Sequence, residues 1–295
     1  MMTHFKQLIF LFIFAVAISC QESKEKATTE RPKPTRKYDK PQDFTYTIWS
    51  LKNDSVRKVF KSKFSSSEIT TIVSLNRIDK NTLQKADTLI IPNKFDDDFL
   101  AYSAFPYTIK KLNDVPKIAI FSYPIQAYGL YEYGELVKWG PTSLGSKAHK
   151  TPTGLFFTNW KGEEVQSTVD DEWILRWNFN IENTEGVGWH QYELPGYPAS
   201  HSCLRLLEND AKWMYDWADE WILKDANTVE AKGIPVLVFG EYDFDGKSPW
   251  LKLVDEPKAN DISEKELENL VSNHLSEIMK EQENREKVLS EKQVK

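Results

Sequence analysis

Between positions 118 and 239 glycine and proline break the chain into short apolar runs, and that punctuation limits what it can become. Residues 118–121, 126–131, 135–139, 154–160 and 236–239 are each of strand length, with Tyr133-Gly134 as turn chemistry between the second and third. Many short strands in series predict a β-rich sandwich or barrel rather than a bundle of helices. One helix interrupts them over about 207–223, where Trp213, Trp217 and Trp221 recur every fourth residue and share one packing face. The expectation is a mainly β protein with helices.

The 295 residues leave room for two domains of about 150 residues each. The first is smaller. Phe44, Tyr46 and Ile48 alternate as in a strand, Val56, Val59 and Phe60 have helical spacing within 55–64, a second helix covers 67–76, and 88–91 forms a closing strand. Residues 43–95 thus predict a small βααβ domain. Asp54-Ser55-Val56, Ser74-Leu75-Asn76-Arg77 and the stretch 83–92 resemble the LysM module, which implies a glycan containing N-acetylglucosamine as partner. It departs from that pattern at Asn53, Val56 and Ala86. Residues 96–115 are expected as a linker, 116–245 as the β-rich domain, and 246–295 as a charged helical extension. In the extension Ser263 and Glu266 make a capping box, and Leu267, Leu270, Val271, His274, Leu275 and Ile278 form an apolar face. That face predicts docking with His274 as a packing residue; it thins beyond Gln282, so the end is expected to be mobile.

The N-terminus has a charged start at His4 and Lys6, then an apolar run over 8–18 that is too short for a permanent membrane span. Ala17-Ile18-Ser19-Cys20 resembles the lipobox of bacterial lipoproteins. That resemblance implies a signal peptide over 1–19 and acyl chains on Cys20, the partner being a membrane. Residues 20–42, rich in Lys, Glu, Thr and Pro, predict a disordered tether. The expected location is outside the cytoplasm, facing the periplasm and wall. Gln21-Glu22-Ser23 lacks the Asp that in some Gram-negative lipoproteins retains the protein at the inner membrane, so the outer membrane is expected. Nucleic acid is excluded as a partner, because the net charge is −6 and basic residues alternate with acidic ones.

The chain has two cysteines. With Cys20 acylated, Cys203 has no disulfide partner, and an unpaired thiol in an exported chain points to a reactive role. A thiol becomes a good nucleophile near neutral pH when a base stands within reach, most often a histidine. Two are near in sequence, His190 upstream of the turn-rich stretch 194–199 and His201 two residues before Cys203, and chemistry alone leaves both open. His149 is expected as an exposed loop residue. There is no HExxH, no pair of cysteines at zinc spacing and no glycine-rich helix start, so no metal and no cofactor are expected. The ten tryptophans, with Tyr and Phe, give an aromatic content common in grooves that handle carbohydrate or peptide.

Trp189-His190, the turn 195–199 and Ser200-His201-Ser202-Cys203-Leu204-Arg205-Leu206 resemble the active-site signature of the L,D-transpeptidase (YkuD-type) family. Thr142-Ser143-Leu144-Gly145 and the stretch 151–156 are similar to that family's upstream pattern, so the resemblance covers about 116–241. It implies a β-rich catalytic domain acting on peptidoglycan stem peptides. Cys203 is then the nucleophile, His190 the general base and later acid, and His201 a second, orienting imidazole. The N–H groups of Ser202 and Cys203 would receive the oxyanion, and Arg205, Ser200, Trp189 and Tyr197 would meet substrate. The same site with water as acceptor would be a carboxypeptidase or endopeptidase, and with a protein amine an attachment enzyme; without chemistry the chain would be a wall-tethering lipoprotein. Two positions depart from the family: Ser202 stands where Gly is usual between His and Cys, and Gln191 where Gly often follows the upstream His. Glycine is favoured where φ is positive or backbone must approach closely, so Ser202 is expected to carry strain, to narrow the oxyanion site, or to lie in extended backbone.

Overall fold

The computed structural model describes residues 43–167 and 173–293, so the expected signal peptide, the whole of the expected tether and Cys20 lie outside the described residues. β1 (Tyr46–Ser50), α1 (Asp54–Lys63), α2 (Ser66–Leu75) and β2 (Thr88–Pro92) follow one another in strand–helix–helix–strand order. Local chemistry sets both helix starts. The Asn53 side chain accepts from Ser55 N (2.8 Å), and Ser65 and Glu68 form a reciprocal capping box. β1 and β2 pair antiparallel, and Leu51, Phe60, Ile72, Leu89 and Ile91 fill the space beneath them.

Residues 96–115, read from the sequence as a linker, carry Ala101, Tyr102, Phe105, Ile109, Leu112 and Val115 into a larger core. That core lies on one face of a five-stranded sheet built from β3 (Ile118–Ser122), β4 (Ala127–Glu132), β5 (Glu135–Pro141), β6 (Gly154–Phe157) and, last in the chain, β13 (Pro235–Phe239). The strand order is β5-β4-β3-β13-β6, with β13 parallel to β3 and antiparallel to β6. Alternation along β3 shows the layering: Ile118 and Ile120 point into the core with residues 96–115, Ala119 and Phe121 into the opposite one. Both faces are covered, so β3 and β13 are buried throughout.

The second sheet closes that opposite face. It runs β10-β9-β8-β7, from β7 (Lys161–Gln166), β8 (Ile174–Glu182), β9 (Val187–Gln191) and β10 (Leu204–Leu206). Phe179, Val187, Trp189 and Leu204 meet Phe121, Tyr128 and Val236 of the first sheet, with Ala211 and Met214 of α3 (Glu208–Trp217) beside them. The expected helix over 207–223 therefore stops earlier. Lys117 Nζ donates to Trp217 O (2.8 Å), and Trp221 N donates to Asn159 O (2.9 Å), contacts with distant residues that end the helix and carry Trp221 away from it. The hairpin β11 (Ile222–Asp225) and β12 (Thr228–Ala231) follows.

The extension forms α4 (Glu264–Ser272) and α5 (Leu275–Gln293). Leu267, Val271 and Ile278 enter the core as their spacing predicts. Beyond Gln282 the expectation of a mobile end is not met. Asn284 Nδ2 donates to Glu230 O, Arg285 Nη1 to Glu220 O and Lys232 O, each at 2.8 Å, and Lys292 pairs with Glu230 at 2.9 Å. Hydrogen bonds to backbone carbonyls replace the missing apolar stripe. Among the described residues no helix is long and apolar enough to cross a membrane.

Candidate active site

β9 and β10 run parallel with Leu204 beside Trp189 and Arg205 beside His190. Side chains alternate along a strand and agree across it, so two sets separate. Trp189, Leu204 and Leu206 face the core. His190, Tyr192, Cys203 and Arg205 face the other way and line one pocket of about 30 Å³, together with Ser167, Trp173, Leu175, Ser200 and His201.

The loop carrying Cys203 is held from both sides. Ser143 exchanges backbone bonds with Arg205 (3.1 Å each way), and Thr142 Oγ1 donates to Arg205 O (2.8 Å). Ser200 N donates to Leu144 O (3.1 Å), and Ser146 N to Ser200 O (2.9 Å). The Ser143 hydroxyl donates to Tyr197 O (2.8 Å) and accepts from Ala199 N (3.1 Å). Thr151 Oγ1 donates to Ser202 O and accepts from Gly145 N, both at 2.8 Å. A Cβ on Gly145 would come within 2.1 Å of His149 O, so glycine is what lets the two segments cross. Residues 142–145 and 151, noted in the sequence only as a similar pattern, form the clamp.

Ser202 has φ +81, so the backbone does adopt here the conformation that favours glycine. Residues 201–203 form a bend rather than a strand. The backbone bonds between described residues leave the N–H groups of Ser202 and Cys203 untaken. The Ser200 hydroxyl donates to Cys203 O (2.5 Å) from a buried position, which makes it a brace of the loop.

His190 is buried, and its Nδ1 lies 2.9 Å from Gln191 O. A carbonyl only accepts, so Nδ1 carries the proton and the Nε2 lone pair is free. Burial pushes the imidazole pKa down to about 4; the bond to Gln191 opposes this and the Arg205 charge adds to it. Burial also raises the half-buried Cys203 thiol, against the Gly188 N–H and the Arg205 guanidinium, which both favour thiolate. The resting pair is a neutral thiol and a neutral imidazole. The Arg205 guanidinium lies 4.4 Å from the centre of the Tyr192 ring.

Other expected site residues fall elsewhere. Trp189, assigned to substrate, is fully buried against Phe121 and Phe179 on the reverse face, because it alternates with His190. Tyr197 is 56% exposed on the turn and does not line the thiol pocket. His201 lines the pocket but is exposed, stacked on His149 (4.4 Å between centres) and edge-on to Trp173 (5.4 Å). Tyr192 and Trp173 were not anticipated. The period-two spacing from His190 carried the signal for Tyr192; nothing local carried it for Trp173. Beyond Tyr192 a groove of about 750 Å³ passes Trp139 and Trp213. Among the described residues no cluster of His, Cys, Asp and Glu is arranged to hold a metal ion.

Residues 116–238 match the model of the YkuD family, described as the L,D-transpeptidase catalytic domain. That segment is a YkuD-type catalytic domain. Solved L,D-transpeptidases resemble it. The one from Stackebrandtia nassauensis is 21% identical over 43% of this chain and 57% of that chain, with a TM-score of 0.35. The one from Mycobacterium smegmatis is 20% identical over 42% and 59%, with a TM-score of 0.34. L,D-transpeptidase 1 of Mycobacterium tuberculosis is 23% identical over 42% and 62%, with a TM-score of 0.31. The chain thus spans roughly three fifths of the length of these structures. No curated protein matches it. The YkuD-type match contains β3 to β12 and most of β13, hence both sheets, the clamp and the whole Cys203 pocket.

Proposed function

We propose that this chain is a peptidoglycan L,D-transpeptidase in which Cys203 is the nucleophile and His190 the base. The observation that carries the proposal is the neutral imidazole tied by Nδ1–H to Gln191 O, with its Nε2 lone pair free, lining the same pocket as the Cys203 thiol. Nε2 takes the thiol proton as sulfur attacks the carbonyl carbon of the stem peptide before its terminal D-residue. Proton removal accompanies attack, since both partners rest neutral. The oxyanion forms toward the N–H groups of Ser202 and Cys203, where preorganised donors stabilise it most. Collapse breaks the C–N bond, His190 returns its proton to the departing amine, and a thioester remains on Cys203. An amine of a second stem then attacks the thioester, losing its proton to His190, and the thiol leaves protonated. Arg205 eases the build-up of negative charge on sulfur during attack and holds a substrate carboxylate, and the groove beyond Tyr192 accommodates the rest of a large substrate.

The lipobox-like Cys20 anchors the protein to a membrane facing the wall, and the βααβ unit presents it to glycan. Stem tetrapeptide incubated with the chain is expected to yield crosslinked dimer by mass, and Cys203→Ser none. Tripeptide as sole product from the unsubstituted chain would make it a carboxypeptidase. No product, and no carbapenem adduct on Cys203, would leave it a tether.

A further inference from the structure

We propose that Asp79, in the βααβ unit, is a positioning residue for Cys203, so that this unit forms part of the catalytic apparatus. The inference rests on the functional reading above for its kinetic arm only. Residues 76–79 leave α2 and reach in succession toward different neighbours. The Asn76 side chain donates to Ile90 O (2.8 Å) and accepts from Ile90 N (2.9 Å), stitching α2 to β2. Arg77, with φ +56 and 2% exposed, turns the other way: Nε donates to Ile125 O (3.0 Å) and Nη1 to Leu75 O (2.8 Å). Its guanidinium lies 5.7 Å from the Trp139 ring centre and 5.4 Å from that of Trp250. Ile78 bridges Pro195, and Asp79 takes hold of Leu194.

The hold on Leu194 is threefold. Asp79 Oδ2 accepts from Leu194 N (2.8 Å), Asp79 N donates to Leu194 O (3.2 Å), and Thr82 Oγ1 donates to the same oxygen (2.8 Å). The second carboxylate oxygen, Oδ1, accepts from Asn81 N and Thr82 N at 2.8 Å each, which fixes the side chain before it reaches across. Gly196, with φ +87, passes so close that a Cβ would lie 3.0 Å from Ile78 Cγ2. The turn from Leu194 to Gly196 joins the strand bearing His190 to the loop bearing Cys203. Fixing its midpoint sets how the two reacting groups approach. A second path runs parallel: Arg77 holds Ile125 O, the Gln126 side chain accepts from Leu144 N (2.8 Å), and Leu144 O accepts from Ser200 N (3.1 Å). The first path ends four residues from His190, the second three residues from Cys203. Small displacements of reacting groups by distant changes cost up to about a hundredfold in rate.

The test uses the full chain carrying Cys20→Ser throughout, so that Cys203 is the sole thiol. Asp79→Asn keeps one oxygen for the Asn81 and Thr82 amides and loses the acceptor for Leu194 N. Thr82→Val removes the bond to Leu194 O and serves should the first variant not fold. Ser65→Ala, which unmakes the α2 capping box far from the turn, is the control for plain destabilisation. Expected for either latch variant is a fall of about tenfold or more in kcat with KM changed by less than about threefold. The pH midpoint of Cys203 alkylation by iodoacetamide shifts with it, and Ser65→Ala moves neither at equal or larger loss of Tm. Latch variants that match Ser65→Ala in both readouts overturn the proposal. Should the unsubstituted chain turn over no stem peptide, the functional reading falls, and the alkylation midpoint alone decides whether Asp79 positions Cys203.

Discussion

Lowering the pH from 7 to 4 is expected to destabilise this protein through His190 in particular. The native imidazole is held neutral down to about pH 4, while in the unfolded chain it protonates near its ordinary value of 6.5. Across that window the unfolded state binds a proton that the native state refuses, so stability falls as pH falls. It is complete above 6.5, and the loss is complete below 4. The interval is about two and a half decades in the proton equilibrium, and each is worth about 1.4 kcal/mol, so the full loss is about 3.5 kcal/mol, most of it between pH 7 and 4. His190 is 4% exposed, so solvent screening takes little from this figure. Carboxylates also titrate in the window, and His190→Asn isolates the imidazole, since Asn still offers an N–H to Gln191 O. Urea unfolding of both proteins at pH 7, 6, 5 and 4.5 gives the difference. Wild type is expected to lose about 2 to 3 kcal/mol more than the variant over that range. A difference constant within about 0.5 kcal/mol would refute the reasoning, because the imidazole would then titrate in the native site as it does in water.

Alkylation of Cys203 by iodoacetamide is expected to keep accelerating above pH 8.5, because burial raises its thiol, and Arg205→Ala is expected to move the curve higher still by removing a charge that favours thiolate. A plateau at pH 7 would instead indicate a preformed thiolate. Ser202→Gly releases about 1 kcal/mol of strain at φ +81 but adds freedom to the unfolded chain, so stability should change by less than about 1 kcal/mol, whereas Ser202→Val, branched at Cβ, should cost about 2 kcal/mol more than glycine. Thermal unfolding checks both, and equal melting temperatures for Gly and Val would show that the loop relaxes away from that φ.

Much of the fold was legible because its signals are local. The alternation of Ile118, Ala119, Ile120 and Phe121, the helical spacing of Val56, Val59 and Phe60 in α1, and the Ser263 cap on Glu266 N at the start of α4 depend on near neighbours alone. The departure from glycine at Ser202 likewise had strain at positive φ as one of three expected outcomes. What stayed hidden depends on partners far away in the chain. Arg77 looks like a solvated residue until Ile125, Trp139 and Trp250 enclose it. α3 ends where Lys117 takes the Trp217 carbonyl, and Asn159 then takes the Trp221 N–H beyond it. Arg285 finds carbonyls on the loops around β11 and β12 that no helical periodicity encodes. Trp189 shows the opposite error, a motif neighbour taken for a contact although strand alternation turns it inward.

β13 comes last among the described strands, yet it lies between β3 and β6, more than a hundred positions after β3. Until residue 239 has been made, β3 has an open edge, and the two cores on either side of the sheet lack their centre. Pairings between distant segments are slow to form, since chain closure must come first. The β9–β10 sheet that carries His190 and leads out of the Cys203 loop packs on this face, so before residue 239 is made it has no finished layer to rest on, and the pocket lacks its foundation.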